Sequence, residues 1–291
     1  MDTDAFIERA LERAVCAADR GAAPPKLIAA IRHALFPGGA RVRPQLCLAV
    51  AHACGARTDD DFQPAVAAAA AVELLHCASL IHDDLPCFDA AELRRGKPSV
   101  HVAYGEALAV LAGDAMIVMA FETLSRDCAA PSRLGALTAI IAGAVGPPFG
   151  IVAGQAWESE PEIELSRYHR SKTGAMFVAA ATAGAAAMGA DKTPWRAMGD
   201  RLGEAYQIAD DIRDFVMEEN ALGKPAGQDA ANARPNAVDT LGLRGAFDQL
   251  NELIRDAADS VPDCAGADNL RELVYAQARR LAPKDLIRSL A

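Results

Sequence analysis

Two groups of acidic residues carry the chemistry this sequence can offer. The first reads HDDLPCFDAAELRRGKP and places Asp83 and Asp84 side by side, Asp89 six positions past Asp83, and Arg94, Arg95 and Lys97 just beyond. The second reads YQIADDIRD and holds Asp210, Asp211 and Asp214, the first and last at i and i+4 on one helix face. Hard carboxylate oxygens in this arrangement suit Mg2+, which keeps several waters and bridges carboxylate to phosphate oxygen. Two like charges about 4 Å apart repel by about 4 kcal/mol at an effective dielectric near 20, so such clusters need counter-charge. A lone Asp-Asp pair at a helix end is ordinarily a solvated cap. Two pairs in apolar surroundings, one followed by Arg94 and Arg95 and the other by Lys224, point instead to a site for metal and anion.

Positioning these acids falls to helices. Helical periodicity runs from Asp4 to about Ala18, resumes after Pro24 and Pro25, and resumes again beyond Gly38 and Gly39. A segment from Phe62 to Asp84 follows, about 33 Å long at 1.5 Å per residue, and Pro86 ends it. On an unbroken helix Asp83 and Asp89 would point apart, and Pro86 allows the chain to turn Asp89 back beside Asp83. Further helices are expected over residues 106–125, 132–145, 173–189, 193–217, 242–260 and 268–281. With no repeat, linker or GxGxxG unit, the pattern predicts one all-α domain over residues 1–291, a bundle of roughly ten or more helices.

Composition agrees. Hydrophobic residues make up 52% and aromatics only 5%, and Val, Ile and Thr form no alternating runs, which excludes a β-sandwich or barrel. A net charge of −10 argues against a nucleic-acid binder or a basic membrane-surface protein. Seven cysteines without a CxxC pair suit reduced thiols, and with no signal peptide at the amino end the expected location is the cytoplasm. The uncharged stretch Leu134–Trp157 is long enough to span a bilayer, but Gly146, Pro147 and Pro148 interrupt it, so buried bundle helices are expected there and no membrane span.

At these motifs the sequence resembles the trans-prenyl diphosphate synthases, the family of farnesyl and geranylgeranyl diphosphate synthases. The resemblance covers nearly the whole chain. It is carried in order by GGARVRP (38–44), LLHCASLIHDDLPCFD with its RRGKP tail, GDAM (113–116), GQAWE (154–158), KTG (172–174), and YQIADDIRD followed by GKPAGQD (223–229). It implies the isoprenoid synthase fold, helices around a central cavity, and a homodimer. It also implies that Asp83, Asp89 and Asp210 bind three Mg2+ ions on an allylic diphosphate, supported by Asp84, Asp211 and Asp214. By the same resemblance Arg94, Lys172 and Lys224 hold the allylic diphosphate, Arg43, His76 and Arg95 hold isopentenyl diphosphate, and Thr173 and Gln207 line the carbocation path. Taken singly, His76 would be a core histidine, Lys172 and Lys224 helix-end charges, and Thr173 and Gln207 surface polar groups.

Departures from the family pattern are Ala40 in the usual GGKR, Glu158 for Asp, and Arg234 and Asn236 for Lys and Thr. The Ala40 form is similar to geranylgeranyl diphosphate synthases of purple-bacterial carotenoid clusters. No Ser-His or Cys-His constellation is present, which suits ionisation chemistry without a side-chain nucleophile. Ala78 and Ser79 stand five and four positions before Asp83, about 6 to 7.5 Å down the helix axis. Within the family an aromatic residue at the first of these positions marks farnesyl producers, so Ala78 implies a twenty-carbon product. Leu74, Leu75, Met116 and Met119 are candidates for the tunnel end. Alternatives are a farnesyl diphosphate synthase, a non-catalytic regulatory subunit whose acidic motifs would be eroded, and a class I terpene cyclase, whose second site would be of Asn-Ser-Glu type.

Overall fold

Small apolar residues dominate the chain, and the helices they form pack closely around a long central one. In the computed structural model the described residues are 3–162, 164–216 and 237–281. The first four helices are α1 (Thr3–Asp19), α2 (Pro25–Leu35), α3 (Val42–Ala53) and α4 (Asp59–Asp83). A two-stranded antiparallel hairpin follows, β1 (Leu93–Arg94) and β2 (Lys97–Pro98). Then come α5 (Val100–Tyr104), α6 (Glu106–Asp127), α7 (Pro131–Val145), α8 (Ile151–Ala156) and α9 (Leu165–His169). A π-helical turn, Arg170–Gly174, leads into α10 (Ala175–Ala187), α11 (Trp195–Val216), α12 (Ala237–Asp259, broken at Gly242) and α13 (Ala267–Leu281).

The all-helical expectation holds, apart from that short hairpin. The central helix α4 begins three residues earlier than its hydrophobic pattern, because Thr58 and Asp61 form a capping box. Asp61 N–H donates to Thr58 Oγ1 at 3.3 Å and Thr58 N–H to Asp61 Oδ2 at 2.8 Å. From Ala65 to Leu75 every residue of α4 is buried and all but Glu73 are apolar, as suits a helix in the middle of a bundle. Buried residues from α1 through α13 form a single contiguous core.

By length and composition alone α4 and α6 could each cross a bilayer. Here α4 runs inside the core, whereas α6 buries Met116, Met119 and Leu124 and turns Val110, Leu111 and Val118 outward. The uncharged stretch 134–157 is divided as Gly146 and the two prolines predict, with α7 ending at Val145 and α8 starting at Ile151. Close crossings rest on missing side chains. A Cβ on Gly203 of α11 would stand 2.6 Å from Gly174 Cα, so α11 lies directly against the turn that precedes α10.

Candidate active site

The first acidic wall forms where α4 ends. Asp84 caps the helix, and the chain then turns on itself: Asp89 N–H donates to the Asp83 carbonyl at 3.0 Å, Ala90 N–H to Leu85 at 3.0 Å and Ala91 N–H to Asp84 at 3.1 Å. Asp89 is thus returned beside Asp83. The hairpin beyond it turns through Arg95 and Gly96, at φ +54° and +73°, the backbone of a tight primed turn. Arg94 reaches back to donate from Nε to Asp84 Oδ1 at 2.9 Å, with Nη2 bound to the same oxygen. Burial pushes the Asp84 carboxyl above its ordinary range, while Arg94 opposes the shift.

A second wall is carried by the π-helical turn. Lys172 Nζ donates to Glu158 Oε1 at 2.5 Å and lies 3.5 Å from Asp83 Oδ1. Glu158 also accepts from the Tyr168 hydroxyl at 2.7 Å and from Gln155 Nε2 at 3.0 Å, so the carboxylate that departs from the family pattern anchors Lys172. One residue on, the Thr173 hydroxyl donates to Gln207 Oε1 at 2.8 Å. Gln207 Nε2 donates to Asp211 Oδ1 at 2.9 Å, and Asp211 Oδ2 accepts from the Ala237 N–H at 2.8 Å. Lys172 and Thr173 are adjacent, so one turn touches both the first acidic motif and the helix that bears the second. Asp210 itself accepts from Arg213 Nη2 at 2.6 Å.

The basic part of the site lies between α3, α4, α10 and α11. Arg43 is 8% exposed, its Nη1 is 3.3 Å from His76 Nε2, and its guanidinium stands 4.6 Å from the Phe177 ring centre and 5.3 Å from that of Tyr206. Arginine can only donate, so His76 Nε2 accepts and the ring proton sits on Nδ1. Burial, then Arg43, Arg95 and Arg94, hold the His76 pKa well below its usual value, which keeps the imidazole neutral. Nearby, Arg41 at φ +49° is buried. It donates to Glu8 of α1 at 2.8 Å, to the buried Glu73 of α4 at 2.7 Å and to the Leu35 carbonyl at 2.8 Å. Burial works against the Arg41 charge, but Glu8 and Glu73 hold its pKa above the ordinary value. A Cβ on Gly38 would stand 2.1 Å from the Arg41 guanidinium carbon, and one on Gly39 would stand 3.0 Å from Arg95 Nε. The glycine pair therefore makes room for two arginines.

The structure thus joins Asp83 to Lys172 and, through the adjacent Thr173, to Gln207 on the helix that carries Asp210, returns Asp89 beside Asp83, and sets Arg43 and His76 in contact with each other. Asp84 and Asp211, expected to support metals, are buried at 2% and 1% exposure and bound to protein donors, so here they position neighbouring elements. Asp214 stands on α11 one turn past Asp210 and is half-buried. Ala78 is buried in α4, and the Ser79 hydroxyl donates to the His76 carbonyl of its own helix. Lys224, Arg234, Asn236 and the GKPAGQD segment lie outside the described residues. The π-helical turn, the hairpin and the Arg41 ion pairs had no counterpart in the sequence reading. A small cavity of about 30 Å3 is lined by Cys77, Asp84, Arg94, Arg95 and Lys97. Burial pushes the Cys77 thiol up to about 12, so it offers no nucleophile there.

Among the described residues no three side chains form a ready metal cage. The donor set still fits Mg2+, which takes one or two carboxylates, retains water and completes its shell with phosphate oxygens.

A polyprenyl synthetase family profile matches residues 24–269. The chain is 51% identical over 280 residues to a geranylgeranyl diphosphate synthase of Cereibacter sphaeroides, covering 95% of this chain and 96% of that one. It is 49% identical over 284 residues to a geranylgeranyl diphosphate synthase of Rhodobacter capsulatus, covering 97% and 96%. Its fold is similar to the crystal structure of a Helicobacter pylori geranyltransferase complexed with magnesium and isoprenyl diphosphate. The TM-score is 0.79 at 29% identity, over 96% of this chain and 98% of that one.

Proposed function

Because the chain belongs to the polyprenyl synthetase family, we propose that it is a magnesium-dependent geranylgeranyl diphosphate synthase, condensing isopentenyl diphosphate with dimethylallyl, geranyl and farnesyl diphosphates. The observation that carries this reading is the single turn whose Lys172 meets Asp83 while its Thr173 meets Gln207, three residues before Asp210. Two acidic groups far apart in sequence thereby serve one centre.

Asp83, Asp89 and Asp210 would hold three magnesium ions. Those ions supply charge neutralisation to a departing diphosphate. Lys172, Arg94 and Lys224 add positive charge for the same oxygens as the allylic C–O bond breaks. Thr173 spends its proton on Gln207, so the lone pairs of its oxygen are available to the allylic cation. Arg43, neutral His76 and Arg95 orient isopentenyl diphosphate, whose double bond attacks the cation. That attack forms the new C–C bond and leaves a tertiary cation on the isopentenyl unit; the carbon beside it loses a proton to the departing diphosphate, the C–H electron pair becomes the product double bond, and no side chain changes its covalent state. The site's acidic motifs are intact, which favours catalysis over a regulatory subunit, and its second motif is DDIRD, unlike that of a cyclase.

Purified protein incubated with isopentenyl diphosphate, each allylic substrate and Mg2+ should release mainly the twenty-carbon product on chromatography. No product from any allylic substrate would refute the assignment. Ala78→Tyr should shift the product toward fifteen carbons, because a buried small residue of α4 is replaced by a ring where the growing chain must descend. Unchanged twenty-carbon product in that variant would place the tunnel floor elsewhere.

The reading includes a homodimer in a reducing compartment, the cytoplasm, with no membrane span. The outward face of α6 supports the dimer: Val110, Leu111 and Val118 are 41%, 53% and 66% exposed. Apolar side chains turned to solvent along one helix face mark an interaction surface. A double change, Leu111→Asp with Val118→Asp, should convert a dimer to a monomer in sedimentation equilibrium. An unaltered mass would move the interface elsewhere.

A further inference from the structure

Arg213 is the basic member of the second acidic motif, and its surroundings connect the two substrate sides of the centre. Tyr206, Asp210 and Arg213 stand at i, i+4 and i+7 of α11 and so share one face. The Arg213 guanidinium lies 5.7 Å from the Tyr206 ring centre, and Arg43, coming from α3, lies 5.3 Å from the same ring. The Nε–H of each arginine is buried and meets no hydrogen-bond acceptor among the described residues. Leaving such a donor unanswered is costly, and two of them around one tyrosine gain nothing for the fold alone. An anion bound at this ring would offer these donors the acceptor they lack.

We propose that Arg213 is a substrate-contacting residue: an arm that neutralises Asp210 in the present arrangement and turns to isopentenyl diphosphate, beside Arg43, when a divalent ion takes that carboxylate. Asp210 Oδ1, at 2.6 Å from Arg213 Nη2, cannot serve the arginine and a metal equally, so loading the second motif releases the arm. The Tyr206 ring is the platform on which both guanidiniums rest through cation–π contact. Ala40 is exposed and offers no charge to that side, so a cation from α11 matters more there. The inference rests on the prenyl transferase reading above.

The test replaces the charge and keeps the stem, Arg213→Met, with Arg213→Lys as the conservative partner. KM for isopentenyl diphosphate should rise about tenfold in Arg213→Met, the loss of one charge-assisted hydrogen bond, with the allylic KM changed by less than about twofold. Arg213→Lys should recover part of that loss. Calorimetric titration of Mg2+ in the presence of inorganic pyrophosphate should show binding to Arg213→Met as tight as, or tighter than, to the wild type, because a competing cation is gone. An unchanged isopentenyl KM, or weakened Mg2+ binding, overturns the proposal; the latter would mark Arg213 as a fixed support of Asp210. Absence of turnover in the wild type would instead refute the functional reading, and the calorimetry would still decide whether Arg213 competes for Asp210.

Discussion

Asp83→Asn should lower kcat on the order of a thousandfold and leave the fold intact, because it removes a carboxylate proposed to hold the Mg2+ that would neutralise a departing diphosphate. The side chain stands at the last residue of α4 and is only 18% exposed, so solvent does not screen its loss well. Lys172, which lies 3.5 Å from the Asp83 carboxylate, does not become stranded. Glu158 lies nearer to that ammonium, at 2.5 Å against 3.5 Å for Asp83, and is itself braced by Tyr168 and Gln155. Stability should therefore change little while catalysis collapses. Steady-state kinetics over a range of Mg2+ concentrations, beside thermal unfolding followed by circular dichroism, separates the two. A kcat within about tenfold of the wild type would remove Asp83 from the metal-binding set.

Gly154→Ala should damage catalysis through position rather than charge. A Cβ at this residue of α8 would lie 2.4 Å from Lys172 N and 2.6 Å from Lys172 Cα. These are backbone atoms with no rotamer to escape into, so the π-helical turn itself must move. Lys172 and Thr173 would then shift together relative to Asp83 and Gln207. A displacement of about 1 Å at a catalytic group costs about a hundredfold in rate, and overpacking of this kind costs about 1–3 kcal/mol of stability. Both losses should appear together in kcat and melting temperature. A variant with a lowered melting temperature and undisturbed kcat would show that the turn does not set the geometry of the centre.

The acids, the helix that delivers them and the return of Asp89 are legible in the sequence because each follows from local rules: apolar run, helix end, proline. The beginning of α4 was legible too, in Thr58 and Asp61, but it reads as polar spacing unless the capping box is sought. Other features are set by contacts between distant segments and leave little local trace. The π-helical turn is held against α8 through Gly154 and against α11 through Gly203, two glycines that look like ordinary helix interruptions in one dimension. The hairpin is hidden because Arg95 adopts a left-handed conformation that sequence rules reserve for glycine and asparagine. Asp84 and Asp211 carry the composition of metal ligands, and only their partners, Arg94 in one case and Gln207 with the α12 backbone in the other, reveal their supporting part.

The ion pairs of Arg41 bear on where the working enzyme begins. The family-matching segment starts at residue 24, yet one of the two carboxylates that balance this buried guanidinium is Glu8, on a helix wholly upstream of that boundary. The other, Glu73, lies one helical turn from His76 and Cys77 on α4. The opening helix is therefore a counter-ion donor to a guanidinium buried against α4, and a minimal unit drawn at the edge of the recognised family segment would be missing a charge from its interior.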